Sequence, residues 1–323
     1  MKCTNKTLLF LPVILALMLC GCGNSSFRIP YDVNTTVVAY GFDTSPTDAL
    51  AKPFASDLCV ASTDIGLSDA NLSMAGAAAL LDLTHRETLY AKSIHRALDP
   101  ASLTKTMTAY LALKYGHSED MLTASENVSD FQADAQVVGI KPGDQMTLDQ
   151  ALHCLLLYSG NDAGVMIAEY ISGSTEEFAK LMNKEARSLG ATGTNFVNPH
   201  GLTDENHYTT VYDLYLIFNA AMQYDKFREI IHTADYDSTY TDAEGNPKQL
   251  KFSTTNNYLS GGVKAPANVS VIGGKTGTTK AAGSCLILLS NNAAGESYIS
   301  VVMHADDRDV LYGQMNNLLK LIP

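Results

Sequence analysis

Segments that favour β-strands lie at both ends of this chain, and a long helical stretch separates them. The first predicted strands cover 57–62, 77–84 and 87–91, and helical periodicity then runs from Ser102 to about Thr233. The later predicted elements are strands at 250–254, 269–276, 284–290 and 297–304 and a helix from about Arg308. Strands at both ends around a helical insert predict one antiparallel sheet that both ends of the chain complete, with helices on its faces.

The composition fits a single enzymatic domain with a buried core. The chain has 323 residues, of which 46% are hydrophobic and 17% are charged, and a chain of this length can bury an α/β core. Its formal net charge of −12 argues against a nucleic-acid partner, because phosphate binding needs a basic surface. None of the eight histidines has the spacing of a zinc site, so we expect no metal ion and no cofactor.

Ser102 begins the helical stretch and is the first candidate for chemistry. It follows Asp99-Pro100-Ala101, and a serine in a first helical turn lies near free backbone N–H groups that favour a developing oxyanion. Lys105 lies about one turn further on and can reach the Ser102 hydroxyl. It can act as a base only if burial or a neighbouring cation lowers its pKa, and Lys275 is the candidate for that cation. The alternative is a helix cap at Ser102 and a solvated lysine.

A second polar motif, Ser159-Gly160-Asn161, separates two predicted apolar helices. The first helix covers 147–157 and starts with the form of a capping box, and the second covers 163–171. A tight connection between buried helices holds polar groups rigidly. Ser159 is therefore a candidate proton relay to a leaving amine, and the Asn161 amide is a candidate partner for Lys105 and a substrate carbonyl. The alternative is an ordinary helix-breaking turn.

The third motif, Lys275-Thr276-Gly277-Thr278, lies in a predicted edge strand that faces a cleft. Glycines at and before this motif leave room for a peptide backbone to pair with the strand. Lys275 and the hydroxyls of Thr276 and Thr278 suit a substrate carboxylate. The alternative interpretation of the same residues is a glycine-rich hairpin with an exposed lysine. Each motif alone is weak, and their occurrence together indicates a serine acyl-transferase.

With these motifs, the chain from about Leu58 to its C-terminus resembles the low-molecular-mass penicillin-binding proteins of the serine D-alanyl-D-alanine carboxypeptidase type. Further blocks that carry the resemblance are Lys141-Pro-Gly-Asp144, residues 194–202 and His207-Tyr-Thr-Thr210. The resemblance implies an α/β (α+β) fold of the penicillin-binding/β-lactamase-like kind, with an antiparallel five-stranded sheet, flanking helices and a helical subdomain.

The resemblance also implies roles for the motif residues. Ser102 is the implied acylated nucleophile, Lys105 its base, and Ser159 with Asn161 the second wall of the site. Lys275 is the implied electrostatic anchor, and Thr276, Gly277 and Thr278 complete the substrate contacts. The implied oxyanion hole consists of the backbone N–H groups of Ser102 and Thr278.

The activity implied by the resemblance is removal of the terminal D-alanine from peptidoglycan pentapeptides, with β-lactams as inhibitors. A class A β-lactamase carries Ser-Asp-Asn and a Glu-x-x-Leu-Asn loop, whereas residues 176–183 here predict a helix capped by Ser174, with Glu177 at the capping-box position, and ended by Gly190. We therefore expect a long-lived penicilloyl ester on Ser102. The alternatives are a slow β-lactamase or endopeptidase of the same fold, and a non-enzymatic sensor of β-lactams or peptidoglycan.

The N-terminus has the pattern of a secretion signal with a lipidation site. Two lysines precede an apolar stretch at 8–19, and Leu19-Cys-Gly-Cys22 resembles a lipobox. We predict a lipoprotein signal peptide at 1–21, lipidated Cys22 with a tether at 22–56, and a carboxypeptidase catalytic domain at 57–323. The expected location is extracytoplasmic, anchored to the membrane through the lipid on Cys22. The alternative is a conventional signal peptide and a soluble product.

Several further residues carry smaller expectations. Because the chain ends at Pro323, where many relatives continue, we expect a catalytic domain only. His200 is interpreted as scaffolding of the cleft, and Arg308 is a weaker candidate for a carboxylate contact. The cysteines outside the signal region lie in apolar contexts and are predicted to be buried free thiols, with a disulfide between one pair left open; they are Cys59, Cys154 and Cys285.

Overall fold

Two antiparallel sheets organise residues 55–323, the part of the chain that the computed structural model describes. The strands are β1 Ala75–Asp82, β2 Glu87–Lys92, β3 Met121–Thr123, β4 Gln145–Thr147, β5 Asp235–Thr241, β6 Pro247–Ser253, β7 Val269–Thr279, β8 Gly283–Asn292 and β9 Ser297–Ala305. The larger sheet has five strands in the order β2-β1-β9-β8-β7. The predicted antiparallel five-stranded sheet, built from both ends of the described region, is confirmed, and β7 is an edge strand as predicted.

The α-helices connect and cover the sheets. They are α1 Lys105–Tyr115, α2 Leu148–His153, α3 Asn161–Ser172, α4 Thr175–Ser188, α5 Val211–Ala221, α6 Asp225–His232 and α7 Arg308–Leu319. The Thr147 hydroxyl accepts the Gln150 N–H and the Gln150 side chain accepts the Thr147 N–H, so the predicted capping box is confirmed. Ser174 caps α4 through the Glu177 N–H, also as predicted.

Apolar layers cover both faces of the five-stranded sheet. Neighbouring strand residues point to opposite faces, so Leu80 packs with the last helix through Leu311, while Leu81 belongs to the larger core that includes Met107 and Phe218. Strand β1 is therefore almost entirely buried, which explains its continuous run of small and apolar residues. The larger core fixes the start of α1 against the sheet.

The smaller sheet, in the order β3-β4-β5-β6, corrects the sequence interpretation of the middle of the chain. The sequence predicts a continuous helical stretch there, followed by one strand at 250–254. Strands β3 and β4 have only three residues each, too few for a period to be visible. Strand β5 is rich in polar residues, with only Tyr240 buried, and it pairs with β6 as a hairpin.

The predicted strand at 57–62 is wrong. The segment lies against α5 and does not join a β-ladder, because tyrosine hydroxyls of that helix take the place of strand partners. Cys59 N–H donates to Tyr215 Oη at 2.8 Å, and Tyr212 Oη donates to the Cys59 carbonyl at 3.0 Å. The first pairing with the sheet is a single bridge between Ile65 and Ala91.

The remaining expectations about the chain have separate outcomes. Cys59, Cys154 and Cys285 are buried free thiols, as predicted. The signal peptide, Cys22 and nearly all of the tether lie outside the described residues. Between residues 55 and 323, the helices are too short or too polar to span a lipid bilayer.

Candidate active site

Ser102 lies in a short 3-10 turn, Ala101–Thr104, that continues directly into α1. Ala101 has a φ of +46°, in the left-handed region that an alanine rarely adopts. Ser102 is partly exposed while Ala101, Leu103 and Thr104 are buried. The turn thus presents the Ser102 hydroxyl to a cleft from an otherwise buried segment.

Lys105 is fully buried and contacts the Ser102 hydroxyl. Its Nζ lies 2.9 Å from Ser102 Oγ, 2.7 Å from Asn161 Oδ1 and 2.7 Å from the His200 carbonyl oxygen, so the alternative of a solvated lysine is wrong. The last two partners only accept hydrogen bonds. A neutral amine can donate to both and turn its lone pair to the hydroxyl of Ser102.

The surroundings of Lys105 favour this neutral form. Burial holds the pKa of Lys105 well below its usual range, the positive charge of Lys275 lowers it further, and the Asp162 carboxylate acts in the opposite direction. The expected cation is therefore present, although burial is the larger cause. The pair can transfer a proton from Ser102 Oγ to Lys105 Nζ.

The Ser159-Gly160-Asn161 motif occupies the junction between a π-helical turn, Cys154–Tyr158, and α3. Ser159 has a φ of +71°, so the backbone reverses there. The Ser159 hydroxyl contacts Lys275, and the Asn161 amide oxygen contacts Lys105. Asp162, fully buried, accepts the N–H groups of Val138, Gly139 and Ile140. Asp162, which directly follows the motif, therefore fixes the segment after Gln136.

Lys275 lies on the edge strand β7 and is 1% exposed, so the alternative of an exposed lysine is wrong. Its Nζ donates to Ser159 Oγ at 2.9 Å and to the Thr276 carbonyl at 2.8 Å. Burial, and secondly the charge of Arg308, lower the pKa of Lys275 to about 7. Near neutral pH this lysine is therefore close to the midpoint of its titration and exchanges its proton easily.

Gly277 lets β7 approach the nucleophile. A Cβ atom at this position would lie 2.9 Å from the Ser102 backbone nitrogen and 3.2 Å from that of Leu103. Only a residue without a side chain fits between the strand and the turn. The backbone of β7 and the amide of Ser102 can therefore border the same reacting atom.

A cavity of about 160 Å³ joins these parts. It is lined by Ser102, Gln136, Ser159, Thr255, Thr276, Gly277, Thr278 and Arg308. Arg308 donates to the Thr255 carbonyl at 2.9 Å, and the hydroxyls of Thr255 and Thr276 lie 2.6 Å apart. The described lining contains a cation and several hydroxyls but no carboxylate, and residues 55–323 contain no cluster of candidate metal ligands.

The structure brings together every predicted site residue that it describes and adds Gln136 and Thr255. Gln136 accepts the Asn161 N–H through its carbonyl at 2.8 Å, and no motif in the sequence marks it. His200 contributes its carbonyl to Lys105, while burial lowers the pKa of its ring to about 3. The interpretation of His200 as scaffolding agrees with this contact.

A family model and curated relatives match this chain. The model of the Peptidase_S11 family, D-alanyl-D-alanine carboxypeptidase, matches residues 67–307. The chain is 34% identical to D-alanyl-D-alanine carboxypeptidase DacF of Bacillus subtilis (strain 168) over 66% of its own length and 53% of that protein. It is 32% identical to DacC of Escherichia coli (strain K12) over 74% of its own length and 59% of that protein. The chain thus spans between half and three fifths of these relatives.

Solved structures show the same fold. The crystal structure of the Streptomyces K15 DD-transpeptidase superposes with a TM-score of 0.71 at 26% identity, over 77% of this chain and 96% of that one. The predicted penicillin-binding fold is confirmed.

Proposed function

The chain belongs to the D-alanyl-D-alanine carboxypeptidase family, and on that premise we propose that it is a serine D-Ala-D-Ala carboxypeptidase acting through an acyl-enzyme on Ser102. Its substrate is the peptidoglycan pentapeptide that ends in D-Ala-D-Ala, from which it removes the last D-alanine. The observation that carries the proposal is the hydrogen-bonded series Ser102, Lys105 and Asn161 beside Lys275 and Ser159 in one cleft. Three separate segments of the chain supply these groups.

In the first step, Ser102 Oγ attacks the carbonyl of the penultimate D-alanine. Lys105, 2.9 Å away, takes the hydroxyl proton, which its lowered pKa permits. The backbone N–H groups of Ser102 and Thr278 then hold the negative oxygen of the tetrahedral intermediate. The close fit of Gly277 against the Ser102 nitrogen supports this pairing of strand and turn.

The leaving amine needs a proton. Ser159 is the candidate donor, because its hydroxyl lies 2.9 Å from Lys275 Nζ and can be reprotonated from that ammonium. The Asn161 side chain fixes Lys105 at 2.7 Å and keeps the base in place during the transfer. Water then attacks the ester on Ser102, and its proton passes through Ser159 to Lys275, which the departure of the amine left neutral. Lys105 returns the first proton to Ser102 Oγ, so the cycle closes without a cofactor.

The terminal carboxylate of the substrate fits the cationic end of the cleft. Lys275, Arg308 and the hydroxyls of Thr255 and Thr276 lie close together there, and a guanidinium with two hydroxyls suits a carboxylate. This arrangement supports cleavage of one residue from a free C-terminus.

The same cleft favours a stable adduct with β-lactams. Rapid hydrolysis of a penicilloyl ester uses a carboxylate to activate water, and the described lining of the cavity around Ser102 has none. We therefore propose β-lactams as long-lived inhibitors. For the location, we propose the extracytoplasmic side of the cell membrane, with the catalytic domain at 57–323 anchored by lipid on Cys22.

The proposal is tested with the purified full-length chain in detergent, incubated with a fluorescent penicillin and separately with diacetyl-Lys-D-Ala-D-Ala. We expect a stable adduct on Ser102 by mass spectrometry, together with release of D-alanine. Ser102→Ala should keep the fold and lose both. An adduct without any D-alanine release indicates a sensor, rapid loss of the adduct indicates a β-lactamase, and labelling of Ser102→Ala contradicts the assignment of the nucleophile.

A further inference from the structure

The residue before the nucleophile is held in a strained conformation by contacts on both of its peptide groups. Ala101 is fully buried with a φ of +46°, a left-handed conformation that an alanine keeps only when its surroundings enforce it. Its N–H donates to Asp99 Oδ1 at 2.8 Å. Its carbonyl accepts the hydroxyl of Thr104 at 2.8 Å.

The hydroxyl of Thr104 has a second partner in a distant segment. His207 Nε2 lies 2.9 Å from Thr104 Oγ1, and both side chains are buried. Since the single proton of Thr104 is donated to Ala101, the hydroxyl must accept from the histidine ring. The ring can provide this proton, because its Nδ1 accepts the Val197 N–H at 3.0 Å and the proton of a neutral imidazole is then on Nε2.

These contacts form one directed chain of hydrogen bonds. It runs from the Val197 N–H through the ring of His207 and the hydroxyl of Thr104 to the carbonyl of Ala101. Burial lowers the pKa of His207 to about 4, so the ring stays neutral and the direction of the chain is kept. Gly201 packs on the same carbonyl, where a Cβ would lie 1.9 Å from the Ala101 oxygen.

We propose that His207 and Thr104 are positioning residues for acylation, which act through the carbonyl of Ala101 to fix the amide and hydroxyl of Ser102. The peptide unit that Thr104 holds is the one that carries the Ser102 N–H, the donor proposed above for the oxyanion. Rotation of this unit would move the donor away from β7 and the hydroxyl away from Lys105. The inference rests on the proposed acyl-transfer function and assigns how its geometry is maintained.

The first test replaces Thr104 by Val, which keeps the shape and removes the hydroxyl. We expect the rate constant for acylation by a fluorescent penicillin to fall about 100-fold, as for other small displacements of reacting groups. The KM for diacetyl-Lys-D-Ala-D-Ala should change less than about threefold, because binding contacts stay. Thr104→Ser restores the hydroxyl and should recover most of the rate.

The matched control is Thr106→Val, two residues further along the chain. Thr106 is buried and its hydroxyl has no hydrogen-bond partner among the described residues, so its loss should leave the acylation rate within about twofold. The final labelled fraction separates positioning from misfolding. Misfolding lowers the fraction of protein that is labelled at completion. A displaced nucleophile slows labelling but leaves that final fraction unchanged.

A second pair of variants tests His207 and keeps the inference decidable if Thr104→Val does not fold. His207→Gln can place an amide N–H near the position of Nε2, whereas His207→Asn can replace only Nδ1. We expect His207→Gln to acylate at least about tenfold faster than His207→Asn, a difference of one hydrogen bond. In the background of Thr104→Val the two should become equal, because the shared path is already broken.

The outcomes separate this inference from the proposed function. If the wild-type chain neither forms a penicilloyl adduct nor releases D-alanine, the proposed function fails. If the wild-type chain does both, and folded Thr104→Val or His207→Asn acylates at the wild-type rate, only the positioning role is overturned. Equal losses in Thr104→Val and Thr104→Ser would also overturn it.

Discussion

Two of the walls of the cleft are built differently, and each contributes one buried lysine. The helix wall consists of residues 100–105 and carries Ser102 with Lys105, and the strand wall consists of residues 275–278 of β7. Lys105 contacts the nucleophile and two carbonyl-type oxygens. Lys275 contacts the hydroxyl of Ser159 and a backbone carbonyl, and the charge of Arg308 lowers its pKa. Burial lowers the pKa of both lysines. The groups that each lysine contacts therefore distinguish Lys105, the base, from Lys275, the cation.

The two walls also differ in how their backbones are held. The strand wall is a regular ladder in which Lys275 pairs with Ile287 and Gly277 with Cys285. The helix wall contains the left-handed Ala101, which the nearby side chains of Asp99 and Thr104 hold. His207, from a distant segment, contacts Thr104 in turn. Backbone hydrogen bonds hold the ladder, whereas the strained turn depends on its side-chain partners.

The largest effect is expected when each lysine is replaced by arginine. Lys105→Arg should lower the acylation rate about 10⁴-fold, since a guanidinium stays protonated and cannot accept the Ser102 proton. Lys275→Arg keeps the positive charge and should lose only about 10²-fold. Stopped-flow measurement with a fluorescent penicillin gives both rates, and equal losses would contradict the assignment of base and cation.

A smaller effect is expected from two glycines of β7. A Cβ at Gly277 would lie 2.9 Å from the Ser102 nitrogen, whereas one at Gly274 would lie 2.0 Å from the Ile287 carbonyl oxygen in the ladder. Gly277→Ala should therefore lower the acylation rate about 10²-fold through the oxyanion site, with a modest loss of stability. Gly274→Ala should mainly lower the thermal midpoint. Acylation rates and thermal midpoints are measured for both variants. A rate loss confined to Gly274→Ala, with a loss of stability confined to Gly277→Ala, would contradict the difference between the two positions.

The pH dependence should separate the lysines further. Burial and the charge of Lys275 hold the pKa of Lys105 well below its usual range, whereas Lys275, with a pKa of about 7, loses its proton as the pH rises through neutrality. We expect acylation to fall above about pH 7. Arg308→Gln removes the neighbouring cation, which raises the pKa of Lys275 and moves this alkaline limit upward. If the alkaline limit of the pH profile is the same in Arg308→Gln as in the wild type, a group other than Lys275 causes it.

The difference between the walls also explains what the sequence could predict. The ladder of β7 and β8 and the capped start of α4 follow from local patterns, and the three motifs located Ser102, Lys105 and Lys275. Gln136 and Thr255 lie in segments without a local signal, and their positions depend on tertiary packing. Thr104 and His207 lie in blocks that the sequence marks, but their contact with each other and the contact of Thr104 with the Ala101 carbonyl also depend on tertiary packing. The same is true of β5, which pairs across polar residues, and of the segment at 57–62, whose partners are tyrosine hydroxyls.

The smallest expected effect concerns stability within the helix wall itself. Thr106 is 1% exposed and its hydroxyl lacks a hydrogen-bond partner among the described residues, whereas the Thr104 hydroxyl has two. Thr106→Val should raise the free energy of unfolding by about 1 kcal/mol, because it removes an unpaired buried group without changing the side-chain shape. Thr104→Val should lower the free energy of unfolding by a similar amount. Thermal midpoints of the two variants test this, and a lower midpoint for Thr106→Val would mean that its hydroxyl is paired in solution.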